Sequence, residues 1–216
     1  MADLLTFALV SFSALFFVVD PFAVIPLFLS MTQADSPAKR RATALRASIV
    51  ATTTLLAFAA AGEFLFRLFG ISVGAFKIAG GTLLFLMALD MLRAQTSRVR
   101  TSPEEETEGI ARDDVAVLPL GIPMLAGPGA IATVTVLMGQ AGESPARMAV
   151  VAGCVVLTGV VTMVLLRAST LIERTLRRTG LNILNRLMGL ILAAVAVQFV
   201  VDGVADVAPQ VAAALV

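Results

Sequence analysis

The chain of 216 residues contains no histidine, no tryptophan and no tyrosine, and only one cysteine, Cys154. Without histidine there is no imidazole to ligate zinc or haem, and no Ser–His or Cys–His catalytic pair. One cysteine excludes an intrachain disulfide. The lack of Trp and Tyr removes the aromatic belt that often marks a bilayer interface. Charge is also scarce: 14% of residues are Asp, Glu, Lys or Arg, against about 25% in a soluble domain. The net charge of +1 offers no basic surface for nucleic acid. Apolar residues fill the chain instead, 58% of it, with a mean hydropathy of +0.95. A soluble fold of this size has too little interior to hide them. The composition therefore predicts an integral membrane protein, and the length allows one domain of about six spans at roughly 20 residues each.

Apolar runs predict spans at about 4–31, 48–69, 71–92, 116–139, 147–169 and 183–204. The start, Met-Ala-Asp, has no positive n-region and no small-residue cleavage pattern, so the first run reads as a retained span. The segment 93–115 is the long hydrophilic stretch, with Glu104, Glu105, Glu106 and Glu108 among its charges, and predicts a flexible linker. The tail 205–216 is short and apolar and is expected at the interface. Basic residues gather after span one (Lys39, Arg40, Arg41, Arg46), in the linker (Arg93, Arg98, Arg100, Arg112) and after span five (Arg174, Arg177, Arg178). Arg67 and Arg147 stand singly in the other loops. The positive-inside rule then puts both termini outside and the linker in the cytoplasm.

The linker divides six spans into three and three, repeat one at 4–92 and repeat two at 116–204. With an odd number in each, related halves would lie in opposite orientations, the plan of many secondary transporters. Asp20-Pro21-Phe22-Ala23-Val24 can be laid on Gly127-Pro128-Gly129-Ala130-Ile131, matching Pro with Pro and Ala with Ala. Lys77 and Gly80 in span three share their spacing with Arg186 and Gly189 in span six. The expected fold class is therefore all-α integral membrane, with six transmembrane helices as two inverted three-helix repeats and broken helices 1 and 4.

The breaks carry the chemistry. Proline suits the first position of a helix, and Asp just before it is a good N-cap. Asp20-Pro21 thus starts a new half-helix inside span one, and Gly127-Pro128 does the same in span four, with Gly129 permitting close approach. Pro26, Pro119 and Pro123 are further candidate break residues. Asp20 lies about 24 Å along an ideal helix from Leu4, well inside a bilayer. Broken backbone at that depth is tolerated only where protein or a water-filled cavity covers it. The N–H groups at a half-helix start attract an anion or carboxylate. Two such starts brought together suit a zwitterionic amino acid, with Asp20 for its ammonium group. Asp20, Pro21, Ala23, Gly127, Pro128, Gly129 and Ala130 form the candidate site. The plainer reading, in which Asp20 only caps and the prolines only shape packing, stays open.

Other polar residues of the spans give weaker signals. Lys77 and Glu63 both lie toward the outer side and can pair. Asp90, Arg186 and Asp202 sit near helix ends, where long side chains snorkel. Gln198 lies well inside span six and is a candidate cavity-lining residue. Gly80 and Gly81, and Gly189 with Ala193, read as close-packing patches. Cys154, in an apolar helix, reads as inert. No metal site and no cofactor are expected.

Asp20-Pro21-Phe22-Ala23-Val24-Ile25-Pro26 resembles the Asp-Pro-x-Gly-x-x-Pro signature of the MarC family of integral membrane proteins. Pro119-Leu120-Gly121-Ile122-Pro123-Met124-Leu125-Ala126-Gly127-Pro128-Gly129-Ala130-Ile131 resembles its second signature nearly throughout. Ala23 departs from the pattern, which usually has Gly there. The resemblance covers essentially the whole chain. It implies a six-helix protein of the bacterial inner membrane near the LysE-type exporter superfamily, in a family with members described as transporters of glycine, alanine and similar small neutral amino acids. By motif, Asp20, Pro21, Pro26, Pro123, Gly127, Pro128, Gly129 and Ala130 carry over. The leading expectation is a secondary exporter of small neutral amino acids, not an enzyme, working by alternating access and paired as a homodimer. The alternatives are a transporter of another small solute or drug, and a structural or regulatory membrane protein.

Overall fold

A computed structural model describes residues 2–93 and 115–214. The predicted linker therefore lies almost wholly outside the described residues. Those residues are helical throughout, without a strand. Helix α1 (Ala2–Val19) is followed, after Asp20 alone, by α2 (Pro21–Met31). Then come α3 (Pro37–Phe69) and α4 (Val73–Leu92). The second half holds α5 (Ala116–Leu125), α6 (Pro128–Ala141), α7 (Pro145–Arg167) and α8 (Ser169–Ala214).

Five helical stretches among the described residues are long and apolar enough to cross a membrane, α1 and α2 counting as one. The pair α5–α6, bent by 57°, makes a sixth when counted as one span. The predicted all-helical membrane fold is thus observed, and its limits shift where caps decide them. Helix α3 begins eleven residues earlier than the apolar run 48–69, because Pro37 suits a first turn and Ser36 Oγ accepts from Lys39 N at 3.3 Å. Lys39, Arg40, Arg41 and Arg46 therefore belong to a helix and not to a loop. Ser72 and Ser144 cap α4 and α7 through Ala75 N (3.1 Å) and Arg147 N (3.5 Å). Gly70 and Gly142, at φ 63° and 57°, make the tight turns before α4 and α7, a conformation that costs glycine nothing.

Helix α8 changes direction at Arg177 (φ 52°). The chain from 205 is not a separate element, since α8 runs on to Ala214. Its Asp206 meets Lys77 of α4 at 2.6 Å. Lys77 thus has a partner other than the expected Glu63, whose side chain lies outside the described residues. Arg186 is exposed.

The core lies between the halves. Helix α4 packs most extensively on α8, along a seam of small residues. A methyl on Gly81 would stand 2.7 Å from the Ala196 carbonyl, and one on Gly203 would stand 2.7 Å from the Gly74 carbonyl. One on Gly189 would lie 3.2 Å from the Ala88 carbonyl. Gly74, Gly81 and Ala88 recur at seven-residue steps, and so do Gly189, Ala196 and Gly203, in the reverse order. That is the period of an antiparallel left-handed helix pair in close backbone contact. Gly80, one residue round the helix, faces Ala132 of α6 instead.

Candidate functional site

Both broken spans resume with proline as the first helical residue, but the two starts differ in charge. At the first, Asp20 is fully buried and left-handed (φ 46°, ψ 69°). Its Oδ1 accepts from Ala23 N at 3.4 Å, and its own N–H still donates to the Phe16 carbonyl at 2.9 Å. Asp tolerates this backbone region better than most residues. The carboxylate therefore closes α1 and opens α2 at once. At the second start, Gly127 is extended (φ −78°, ψ 174°) and supplies no side-chain cap. Gly129 and Ala130, the next residues with N–H groups after Pro128, are both buried. One start thus carries a buried carboxylate. The other offers bare N–H groups and the positive end of α6.

The preceding segment α5 explains how the second start is held. Leu118 and Ile122 are extended (ψ 126° and 128°), as residues before proline tend to be, and each makes a cis bond to Pro119 or Pro123. The backbone bonds widen to five-residue steps, from Leu120 N to the Val115 carbonyl and from Ala126 N to the Gly121 carbonyl. Gly127 fits below Pro123: a Cβ there would lie 2.5 Å from the Pro123 carbonyl. A Cβ on Gly129 would first meet the side-chain ends of Leu84 and Met87.

The helices around the breaks cross over. Helix α1 meets α6 and α2 meets α5, so each half-span packs on the opposite half of the other broken span. The site residues are not all gathered there. Gln198 is exposed and donates to Asp202 Oδ1 at 2.6 Å, so it does not stand with the buried set. Pro26 lies within α2 and does not break it. It removes only the N–H that the Phe22 carbonyl would use. Pro21 is buried, Ala23 half-buried and Pro128 exposed.

Contacts between the halves are largely unchanged when the halves are exchanged. Helix α3 packs on α5 and α6 as α7 packs on α1 and α2. Helix α4 packs on α6 as α8 packs on α2, while α3 meets α7 and α4 meets α8. The contacts of α1 with α8 and α6 with α7 lack equally extensive counterparts. Two cavities obey the same exchange. One, about 530 Å³, is lined by the end of α2, Arg40 near the start of α3, and Thr170, Glu173 and Asn182 of α8. The other, about 270 Å³, is lined by the end of α6, Met148 near the start of α7, and residues of α3 and α4 including Phe66 and Val73. They lie at opposite ends of α3 and of α7.

The sharper repeat signal in the sequence is one the spacing of Lys77 and Gly80 does not provide. Ser36-Pro37-Ala38-Lys39 opens α3, and Ser144-Pro145-Ala146-Arg147 opens α7. Within one residue, their separation along the chain equals that of Asp20 from Gly127. The match of Lys77–Gly80 with Arg186–Gly189 places unlike residues together: Lys77 is buried and ion-paired whereas Arg186 is exposed, and Gly80 faces α6 whereas Gly189 faces α4.

These features define a multi-pass helical membrane protein in which two apolar stretches are interrupted. Residues 5–208 match the model of the MarC family integral membrane proteins, and the chain belongs to that family. It is 38% identical to UPF0056 membrane protein MJ1677 of Methanocaldococcus jannaschii, over 93% of this chain and 97% of that protein. It is 33% identical to UPF0056 membrane protein YhcE of Escherichia coli, over 92% of each. With UPF0056 membrane protein YvbG of Bacillus subtilis it shares 37% identity over 92% of this chain and 94% of that one. No solved structure matches.

Proposed function

We propose that the protein is a secondary transporter that exports small neutral amino acids such as glycine or alanine by alternating access. The observation that carries this reading is the chemical contrast of the two half-helix starts. The uncapped start of α6 suits a carboxylate, and the buried Asp20 at the start of α2 suits an ammonium group. A zwitterion needs both, whereas a simple anion would be repelled by Asp20 and a simple cation by the α6 dipole. The close packing around Gly129 and Ala130 favours a small side chain.

In this reading the halves are inverted repeats, supported by the exchange of contacts and cavities and by the Ser-Pro-Ala-basic openings of α3 and α7. Asp20 and Gly127 lie in a bacterial inner membrane with both termini outside, as the basic residues at the start of α3 and in α8 favour. The 530 Å³ cavity beside Arg40 is then the cytoplasmic vestibule, and the 270 Å³ cavity is its outward counterpart. Their unequal size corresponds to an inward-facing state. Transport rocks one half against the other along the α3–α7 and α4–α8 contacts.

Counterflow tests this. Proteoliposomes preloaded with unlabelled glycine or alanine are placed in labelled amino acid. The expected result is protein-dependent uptake that falls in Asp20→Asn and Gly129→Leu, both remaining folded. No uptake of any small neutral amino acid by folded wild-type protein removes this substrate class.

A further inference from the structure

Helices α1, α3 and α7 line a small cavity of about 10 Å³, formed by Val19, Ser48, Thr52, Thr158 and Thr162 among others. Its four hydroxyls lie in an otherwise apolar region, between Ala51, Leu55 and Val155. Ser48, Thr158 and Thr162 are 4%, 2% and 1% exposed, and the oxygen of each has no protein partner. That departs from the habit of serine and threonine in apolar helices, which bond the carbonyl four residues back. Thr52 does so here, to the Ser48 carbonyl at 2.7 Å, as do Thr43, Thr82, Thr133 and Thr135 elsewhere. All three of these residues line the shared space, and none of their hydroxyls bonds its own backbone. Thr52 keeps oxygen lone pairs for it as well. Gly159 makes the approach possible, since a methyl there would collide with Thr52 Oγ1.

Val19 is the last residue of α1, so the carbonyl end of that half-helix, the negative end of its dipole, abuts the cavity. Pro21 stands four residues after Phe17 and has no N–H to give the Phe17 carbonyl. The next residue after Val19 is Asp20, fully buried. The volume holds one water-sized body. Hydroxyl oxygens with no carboxylate in the lining suit a monovalent ion and not Ca²⁺ or Mg²⁺, which gather carboxylates.

We infer that Ser48, Thr52, Thr158 and Thr162 bind a sodium ion at the carbonyl end of α1. The ion would hold α3 and α7, one helix from each half, against the break that ends at Asp20. As a binding site it stands by itself; as the coupling site for export it rests on the transport reading above.

Radiolabelled sodium binding to the purified protein, in choline chloride and without amino acid, tests it. Saturable binding is expected, displaced by unlabelled sodium and poorly by potassium. Thr158→Val and Thr162→Val keep the side-chain volume and should each weaken it by roughly tenfold or more. Thr158→Ser restores the oxygen and should retain it. If monodisperse wild-type protein binds no sodium saturably, or the valine variants bind as wild type does, the cavity holds water and the inference falls. Loss in Thr158→Ser equal to that in Thr158→Val would also overturn it, by showing that packing and not the oxygen matters. Counterflow needs no ion gradient, so amino-acid exchange can succeed where sodium binding fails, and the reverse.

Discussion

Gly127→Ala is the sharpest test of how the second half-helix start is held. Gly127 has an ordinary extended backbone (φ −78°, ψ 174°), so alanine meets no conformational strain. The only obstacle is space. The new methyl would sit 2.5 Å from the Pro123 carbonyl oxygen, about 0.9 Å inside the nearest ordinary contact. That oxygen belongs to backbone in the tightly bonded turn of α5, where Ala126 N donates to the Gly121 carbonyl at 3.0 Å. It has no rotamer by which to withdraw, so α6 must move relative to α5. Overpacking of this kind costs about 1–3 kcal/mol. A displacement of about 1 Å in a group that positions substrate lowers the rate by roughly 100-fold. Gly129→Ala, two residues on, is the control: its methyl meets the flexible ends of Leu84 and Met87 at 2.8 and 2.9 Å. Those ends can swing, and the change should cost about 1 kcal/mol or less. Thermal unfolding in detergent and initial counterflow rates would be read for both variants. If Gly127→Ala melts and transports as wild type does, or no worse than Gly129→Ala, the argument that Pro123 fixes the α6 start is wrong.

Asp20→Asn keeps a capping side chain that also tolerates the left-handed backbone, so it should fold normally and lose flux. Asp20→Ala should in addition unfold more easily, by about 2 kcal/mol for the cap and the backbone together; equal flux in wild type and Asp20→Asn would reduce Asp20 to a cap. Gly81→Ala drives a methyl onto the Ala196 carbonyl and should destabilise the α4–α8 pair by about 1–3 kcal/mol. Gly153→Ala, with nothing within 4 Å, should be neutral or stabilising by up to about 1 kcal/mol; similar melting of the two would refute the seam. Asp206→Asn leaves the buried Lys77 ammonium without its partner, whereas Lys77→Met removes the charge. The first should therefore lower the melting temperature more than the second, by a modest margin because Asp206 is 46% exposed.

Much of this protein was readable in the chain because the bilayer allows few solutions. A run of apolar residues must span as a helix when no water can satisfy its backbone. Asp-Pro and Gly-Pro inside such runs must restart one, since proline has no N–H to continue the ladder. The spans and the two interruptions follow from those facts alone. Proline was less informative by itself. Pro26 rides within α2, while Pro119 and Pro123 reshape α5, and the difference lies in the extended residues before the latter pair. Hydropathy places the start of α3 too late because a cap at Ser36-Pro37 extends the helix, and it stops α8 short of its continuation past 205.

Which polar residue faces which neighbour was decided by tertiary packing. Lys77 reaches Asp206, well over a hundred residues away, because α4 and α8 lie antiparallel along a seam of glycines and alanines. Gln198 looks like a buried polar group from its apolar neighbours, yet the same seam turns it to the outside. The hydroxyls of Ser48, Thr158 and Thr162 are ordinary in sequence. Only the approach of α3 to α7 beside the end of α1 brings them to line one space, buried and without a protein partner. Hydropathy depends on neighbours along the chain and so is legible there. Burial, partnership and charge balance depend on neighbours across it, and only the packed bundle supplies those.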